Sequence, residues 1–245
     1  MPSLDFDALI LAADRLRPDP VTADSHVICK AFVEIDGEPM ISRVISALRG
    51  CGMVNRIAIS VHPDCNPQHG ATIPQSLRDD PDLDWIDAEC SVSGSVEARL
   101  RNRAKDDRPL IVTTADHPLL TAPHIRDFLQ RTRDSGAMAV AGIVPYSLVK
   151  TVYPGSVRTH LAFRDELVSG CNLFAFMGHR ACPAIRFWRQ IESYQKQPLR
   201  QAMSIGPFTL LSYMAGWLSL RGITRKLERR TGVPLAFIRL TDPDL

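Results

Sequence analysis

The chain lacks the features that would place it in several large classes. Its six cysteines, Cys29, Cys51, Cys65, Cys90, Cys171 and Cys182, make no C-x-x-C pair and no His/Cys ladder with zinc spacing. That excludes a zinc module and a dithiol redox motif, and leaves free thiols in a reducing compartment as the expectation. No apolar run reaches the roughly 18 to 20 residues of a membrane span. The nearest approach, Pro207 to Leu220 with Tyr213 and Trp217 inside it, suits a buried or interfacial helix. No basic-then-apolar leader opens the sequence, because Asp5 and Asp7 precede the first apolar run, so a cytoplasmic location is expected. The 29 basic and 27 acidic residues are scattered without a dense basic face, which argues against nucleic acid as a partner. Internal repeats and low-complexity segments are absent as well.

What is present fits one α/β domain, since 245 residues with 45% apolar side chains suffice for a real core. The run Ala8-Leu9-Ile10-Leu11-Ala12-Ala13 has the length and apolarity of a parallel strand covered on both faces. It breaks into Asp14-Arg15-Leu16-Arg17-Pro18, and Lys30 follows one long loop later. Ligands of open α/β sheets bind outside the carboxyl ends of the strands, so function is to be sought at this edge. Ala31 to Ile35 predicts a short strand closed by the turn Asp36-Gly37-Glu38-Pro39. Met40, Ile41, Val44, Ile45 and Leu48 then recur at helical spacing until Gly50 and Gly52. Arg56 to Val61 completes a right-handed βαβ unit.

The stretch from His62 to Asp87 reads as a surface loop with one short helix around Pro74 to Leu77. Ser91-Val92-Ser93-Gly94-Ser95 precedes a helical stretch, Val96 to Ala104, and forms a helix N-terminus able to receive an anion. A plain N-cap explains Ser95 equally well. Leu110 to Ala115 is a strand that ends in Asp116-His117-Pro118-Leu119-Leu120, Thr121 caps a helix from Ala122 to Ser135, and Ala137 to Val144 is another strand. Strands alternating with helices point to a doubly wound, mostly parallel sheet. Beyond it, Ser156 to Asn172 mixes basic, hydroxyl and turn residues before a strand from Leu173 to Met177. Helices are expected over Cys182 to Ser193, Pro198 to Met203 and Pro207 to Thr231, with a last strand from Leu235 to Leu240.

Three of these segments, taken in order, carry a resemblance. Ala8 to Ala13 with Lys30, Asp36-Gly37-Glu38-Pro39-Met40, and Thr113-Thr114-Ala115-Asp116-His117-Pro118-Leu119-Leu120 resemble the MobA-like NTP transferases. That nucleotidyltransferase family includes the enzymes that attach a guanylyl group to the molybdenum cofactor. The run Tyr153-Pro154-Gly155, Arg158-Thr159 and Ser169 to Phe174 looks like a subgroup of it. The resemblance implies a Rossmann-like GT-A nucleotidyltransferase fold, a mostly parallel central sheet flanked by helices with a helical C-terminal part. A single domain would fill 1–245, with a nucleotide-binding half at 1–145 and an acceptor-binding and helical half at 146–245.

The implied reaction moves an NMP group from an NTP to a small phosphorylated or hydroxylated acceptor, with pyrophosphate leaving and Mg²⁺ assisting. Lys30 and Asp116 would be catalytic, with Asp116 holding the metal, since a hard cation takes oxygen ligands. Leu11, Ala12, Ala13, Asp14, Arg15, Lys30, Gly94 and Ser95 would bind the nucleotide, and Arg158, Ser169, Gly170 and Asn172 the acceptor. Taken singly, Lys30 reads as a solvated lysine, Asp116 as a turn residue, Arg158 as a surface partner of Asp165, and Lys196 with Arg200 as a solvated helix face. Asp14 and Leu16 stand where the family usually has glycines, so either Arg15, Arg17 or a bridging Mg²⁺ offsets the Asp14 charge near a phosphate, or the loop stands away from the triphosphate. Asp242 and Asp244 are not assigned a metal role. A nucleotide-sugar-dependent GT-A glycosyltransferase and a non-catalytic nucleotide-binding domain are the alternatives, and no residue pattern sets the oligomeric state.

Overall fold

The axis of the molecule is β1 (Phe6–Leu11), flanked on both sides by parallel partners. The computed structural model describes residues 6–13, 29–102, 107–156, 158–193, 211–212 and 215–245. β4 (Val54–Val61) pairs with β1 on one side and β6 (Leu110–Thr114) on the other. With β5 (Leu83–Asp87), β7 (Ala139–Pro145), β8 (His160–Ala162), β9 (Leu167–Phe176) and β10 (Leu235–Arg239) they form an eight-stranded sheet of order β10-β7-β9-β6-β1-β4-β5, with β8 hydrogen-bonded to β9. β9 runs antiparallel to β6, β7 and β8, while the other pairings are parallel. The expected mostly parallel sheet is therefore present, and the chain reverses its direction of travel across the sheet between β1 and β6.

Both faces of β1 are buried, for the reason its unbroken apolarity suggests. Phe6, Ala8 and Ile10 join a cluster with Ile41, Val44 and Leu48 of α1 (Met40–Gly50) and Ile125, Phe128 and Leu129 of α4 (Ala122–Ser135). Leu9 faces the other way, onto Val96 and Leu100 of α3 (Val92–Asn102) and Ile185 of α6 (Cys182–Ser193). Among the described residues, further helices are α2 (Gln75–Arg78), α5 (Tyr146–Val152) and α7 (Leu220–Thr231), and residues 211–212 are helical as well. Among the described residues no helix is long and apolar enough to cross a membrane.

Several expectations need correction. Lys30–Phe32 is a 3-10 turn, and only Glu34–Ile35 (β2) forms a strand, pairing with Glu38–Pro39 (β3) in a hairpin outside the main sheet. Asp36 and Gly37, with φ of 55° and 78°, make its two-residue turn, a conformation that glycine and aspartate tolerate. β5 lies inside the supposed loop; Leu83 and Trp85 are buried while Asp84 is exposed, a period of two hidden among acidic residues. α3 begins at Val92, so Gly94 and Ser95 lie within its first turn and not ahead of it. β9 begins at Leu167 and α7 only at Leu220; residues 215–219 are turn and irregular chain, with Trp217 74% exposed. The helix expected over Pro198 to Met203 lies outside the described residues.

One buried carboxylate fastens α3 to α6. Glu97, in the middle of α3 and only 3% exposed, meets Arg101 of its own helix and, across the interface, Arg186 Nε and Arg189 Nη1, each at 3.2 Å. Burial alone would raise the Glu97 carboxyl, but the guanidiniums of Arg186, Arg101 and Arg189 outweigh it and hold the group below its ordinary value. A carboxyl lowered in the folded state stabilises the fold above its unfolded pKa and ceases to do so as pH falls through the folded value. Glu97→Gln should cost about 1 to 3 kcal/mol at pH 7. That deficit should shrink once pH drops below about 4. Urea unfolding at pH 7 and pH 3 checks both; an undiminished difference at pH 3 refutes the charge pairing. Phe128→Ala, at a fully buried ring, should cost about 3 to 5 kcal/mol in the same assay at pH 7.

Candidate functional site

Where the sheet ends, the chain is held by three hydrogen bonds around the tip of β1. Ala12 N–H donates to Ser60 O at 2.8 Å, and Ala115 N–H donates to Leu11 O at 2.9 Å. The Cys29 thiol donates to Ala12 O at 3.3 Å. The last of these returns the chain to β1 and delivers the next residue, Lys30, to the β6 side. There Lys30 Nζ lies 3.2 Å from Asp116 Oδ2, a half-exposed ion pair between residues 86 positions apart. Such a pair adds little stability in water. Its importance is positional, because it stands at the switch point between β1 and β6, where open α/β sheets bind ligands.

On the other side of the β1 tip is a cleft of about 820 Å³, within the range of small-ligand sites. Leu11, Ala13, Ser60 and His62 floor it, Glu89, Cys90 and Ser91 follow from β5, and Arg189 and Glu192 of α6 close it. Lys30 and Asp116 do not line this cleft; Ala12 and Ala13 separate the two. Among the described residues, Ser60 Oγ, buried at the cleft floor, has no hydrogen-bond partner, and the Thr113 and Thr114 hydroxyls end β6 in the same condition. Buried hydroxyls without protein partners are uncommon and call for a physical reason.

The α3 N-terminus is already filled. Glu192 accepts from Val92 N–H at 3.0 Å through Oε1, and from Ser93 N–H at 3.1 Å and the Ser93 hydroxyl through Oε2. Ser91 Oγ caps the same turn by accepting from Gly94 N–H at 3.0 Å. A side chain at Gly94 would crowd this cap, since a Cβ there would come within 2.9 Å of Ser91 Oγ. Gly94 faces a smaller cavity beside the cleft, whereas Ser95 lines the cleft itself and its Oγ accepts from Glu89 N–H at 3.0 Å. Sequence reading missed Glu192, Arg189 and Ser60. No local signal marks the two α6 residues, whose partners lie about 90 to 100 positions away.

The four residues expected at the acceptor are dispersed. Arg158 donates to Leu245 O, and Ser169 Oγ donates to Thr159 O at 3.0 Å. Gly170 and Asn172 are exposed on β9, where the strand bulges opposite Gly142 and Asn172 takes φ 50°. Since Val112 is paired with Phe174, Asn172 lies toward the end of β6 that carries Asp116. Asp14 and Arg15, like Lys196 and Arg200, lie outside the described residues. Behind Asp116, His117 is buried with Nε2 3.3 Å from Asp244 O, and burial pushes its imidazole pKa down. Asp244 accepts from the Tyr153 hydroxyl, and Asp242 Oδ2 lies 2.8 Å from His124 Nε2. Among the described residues no three His, Cys, Asp or Glu side chains converge as a metal cage. Asp116 would be a single carboxylate ligand. That suits Mg²⁺, which keeps waters and takes substrate phosphates alongside one or two carboxylates.

Comparison with known proteins shows the same fold elsewhere. A hypothetical transferase from Thermus thermophilus superposes with a TM-score of 0.79 at 23% identity, covering 98% of this chain and 94% of that one. A 4-diphosphocytidyl-2C-methyl-D-erythritol synthase from Anaerococcus prevotii gives 0.55 at 9% identity, covering 99% and 92%. CMP:2-keto-3-deoxy-manno-octonic acid synthetase, complexed with CTP, gives 0.52 at 11% identity, covering 97% and 90%. At these identities the likeness is one of fold. No curated protein matches the sequence. The MobA-like NTP transferase domain matches residues 8–200, and the chain belongs to that family of nucleotidyltransferases.

Proposed function

We propose that the protein transfers an NMP group from an NTP to a small phosphorylated or hydroxylated acceptor and releases pyrophosphate. The observation that carries this reading is the Lys30–Asp116 pair at the switch point, beside a nucleotide-sized cleft. The nucleoside occupies the cleft, the triphosphate crosses the backbone of Ala12 and Ala13, and its phosphates reach Lys30, with Asp116 beside them where it would hold a divalent cation. The acceptor approaches from the β9 side, past Gly170 and Asn172. In this arrangement residues 1–145 hold most of the nucleotide and residues 146–245 the acceptor, with α6 reaching back to close the cleft. Six free cysteines, five of them buried, suit a reducing cytosol.

An acceptor oxygen attacks the α-phosphorus as its bond to the β-phosphate oxygen breaks, and a hydroxyl acceptor gives up its proton to solvent. Such a displacement gains chiefly from positioning and from neutralising charge on the leaving oxygens. Lys30 supplies a fixed positive charge to those oxygens. A divalent cation held by Asp116 would supply further charge neutralisation.

Asp116→Asn and Lys30→Met should each lower turnover by about 10²- to 10³-fold without unfolding the protein, since both side chains are partly exposed. Pyrophosphate release from each NTP with a panel of phosphorylated and hydroxylated metabolites measures it. Full activity in both variants, or release of a nucleoside diphosphate from a nucleotide sugar in place of pyrophosphate, would overturn the assignment.

A further inference from the structure

Glu192 has a place in the cleft that closing a helix end does not require. Its two oxygens are pinned by two backbone N–H groups and one hydroxyl, 99 and 100 positions away in sequence, so the carboxylate is immobilised in the cleft wall. Two consequences follow from the bonds it makes. The α3 N-terminus, which opens toward the cleft, has its first N–H groups committed to a protein carboxylate, and a phosphate brought there meets a like charge. The triphosphate is thereby kept at the Lys30 end. Among the described residues, Oε1 accepts only the Val92 N–H, so it retains a lone pair for an N–H donor. Across the floor of the same cleft, Ser60 Oγ is fully buried and has no hydrogen-bond partner among the described residues.

We propose that Glu192 and Ser60 select the nucleobase, so that the cleft takes an amino-bearing base, adenine, cytosine or guanine, and discriminates against uracil and thymine. The inference rests on the reading of the cleft as the nucleoside site. The chemistry is that of a fixed acceptor. Adenine, cytosine and guanine each project an exocyclic N–H₂ group beyond the ring edge. Uracil and thymine present one ring N–H between two carbonyl oxygens, and those oxygens face the carboxylate with like partial charge. Ser60, able to donate or accept, supplies the second bond to the base edge. A site built to hydrogen-bond a donor rejects an analogue lacking it, because its own buried groups are then left unpaired. The fold does not set this choice, since the similar structures include a complex with CTP and a putative thymidylyltransferase.

Calorimetric titration of ATP, GTP, CTP and UTP, with Mg²⁺ and without acceptor, tests it on the full chain. At least one amino-bearing nucleotide should bind about tenfold or more tightly than UTP, a difference of about 1.4 kcal/mol. In Glu192→Gln that ratio should fall about tenfold, because the amide must turn its only oxygen to Val92 and Ser93 and present N–H₂ to the cleft. Ser60→Ala, a smaller change that keeps the fold if the first variant does not, should weaken the preferred nucleotide several-fold more than UTP. Asp116→Asn should leave the ratio unaltered. If the wild-type protein binds no NTP, the nucleoside reading of the cleft fails and this inference with it. If NTPs bind but UTP binds equally well, or if the ratio survives Glu192→Gln, or Ser60→Ala where the former does not fold, base selection by these residues is refuted and the transferase reading stands.

Discussion

The structure depends on the end of β1. A strand hydrogen-bonded to parallel neighbours on both sides has no freedom within the sheet, so the only new direction open to the chain is outward past its carboxyl end. The Ala115 N–H to Leu11 O and Ala12 N–H to Ser60 O bonds fix three strand ends at one level. From that level the cleft opens on the β4 side and the Lys30–Asp116 pair on the β6 side. A ligand that is apolar and heteroaromatic at one end and polyanionic at the other fits such a bipartite edge.

Two glutamates then convert an edge into a walled cleft. Glu97 draws Arg186 and Arg189 of α6 onto α3, and Glu192, further along α6, caps the first turn of α3. One carboxylate is balanced by guanidiniums and the other by backbone N–H dipoles, so neither is buried uncompensated. Their shared effect is to hold α6 over the cleft mouth. The second half of the chain thus helps to wall the cleft at the end of β1, and β9, inserted between β6 and β7, is part of the same sheet.

Much of this was legible in the residues. β1, α1, β4, β6, α4, α6 and β10 lie close to where apolar period and caps placed them, because each buries a continuous face whose spacing is a local property. Lys30 and Asp116 were legible as strand-edge residues, and the structure brings them within 3.2 Å. β5 was not, because an edge strand that alternates Leu83 and Trp85 with aspartates has the composition of a loop. The start of α3 was displaced because three serines in five residues all have capping chemistry, and only packing against Glu192 and Glu89 selects Ser91.

By itself the sequence determined the alternation of strands and helices, the central parallel strand, and the two charged residues at the sheet edge. Only the tertiary structure decided the partners of the other polar groups: that Arg158 reaches the Leu245 carbonyl, that Ser169 turns to Thr159, and that the α3 N-terminus receives a glutamate of its own chain. Burial leaves a periodic trace that any short window contains. Pairing between charges a hundred residues apart leaves none, since it exists only after the sheet has brought the two helices side by side.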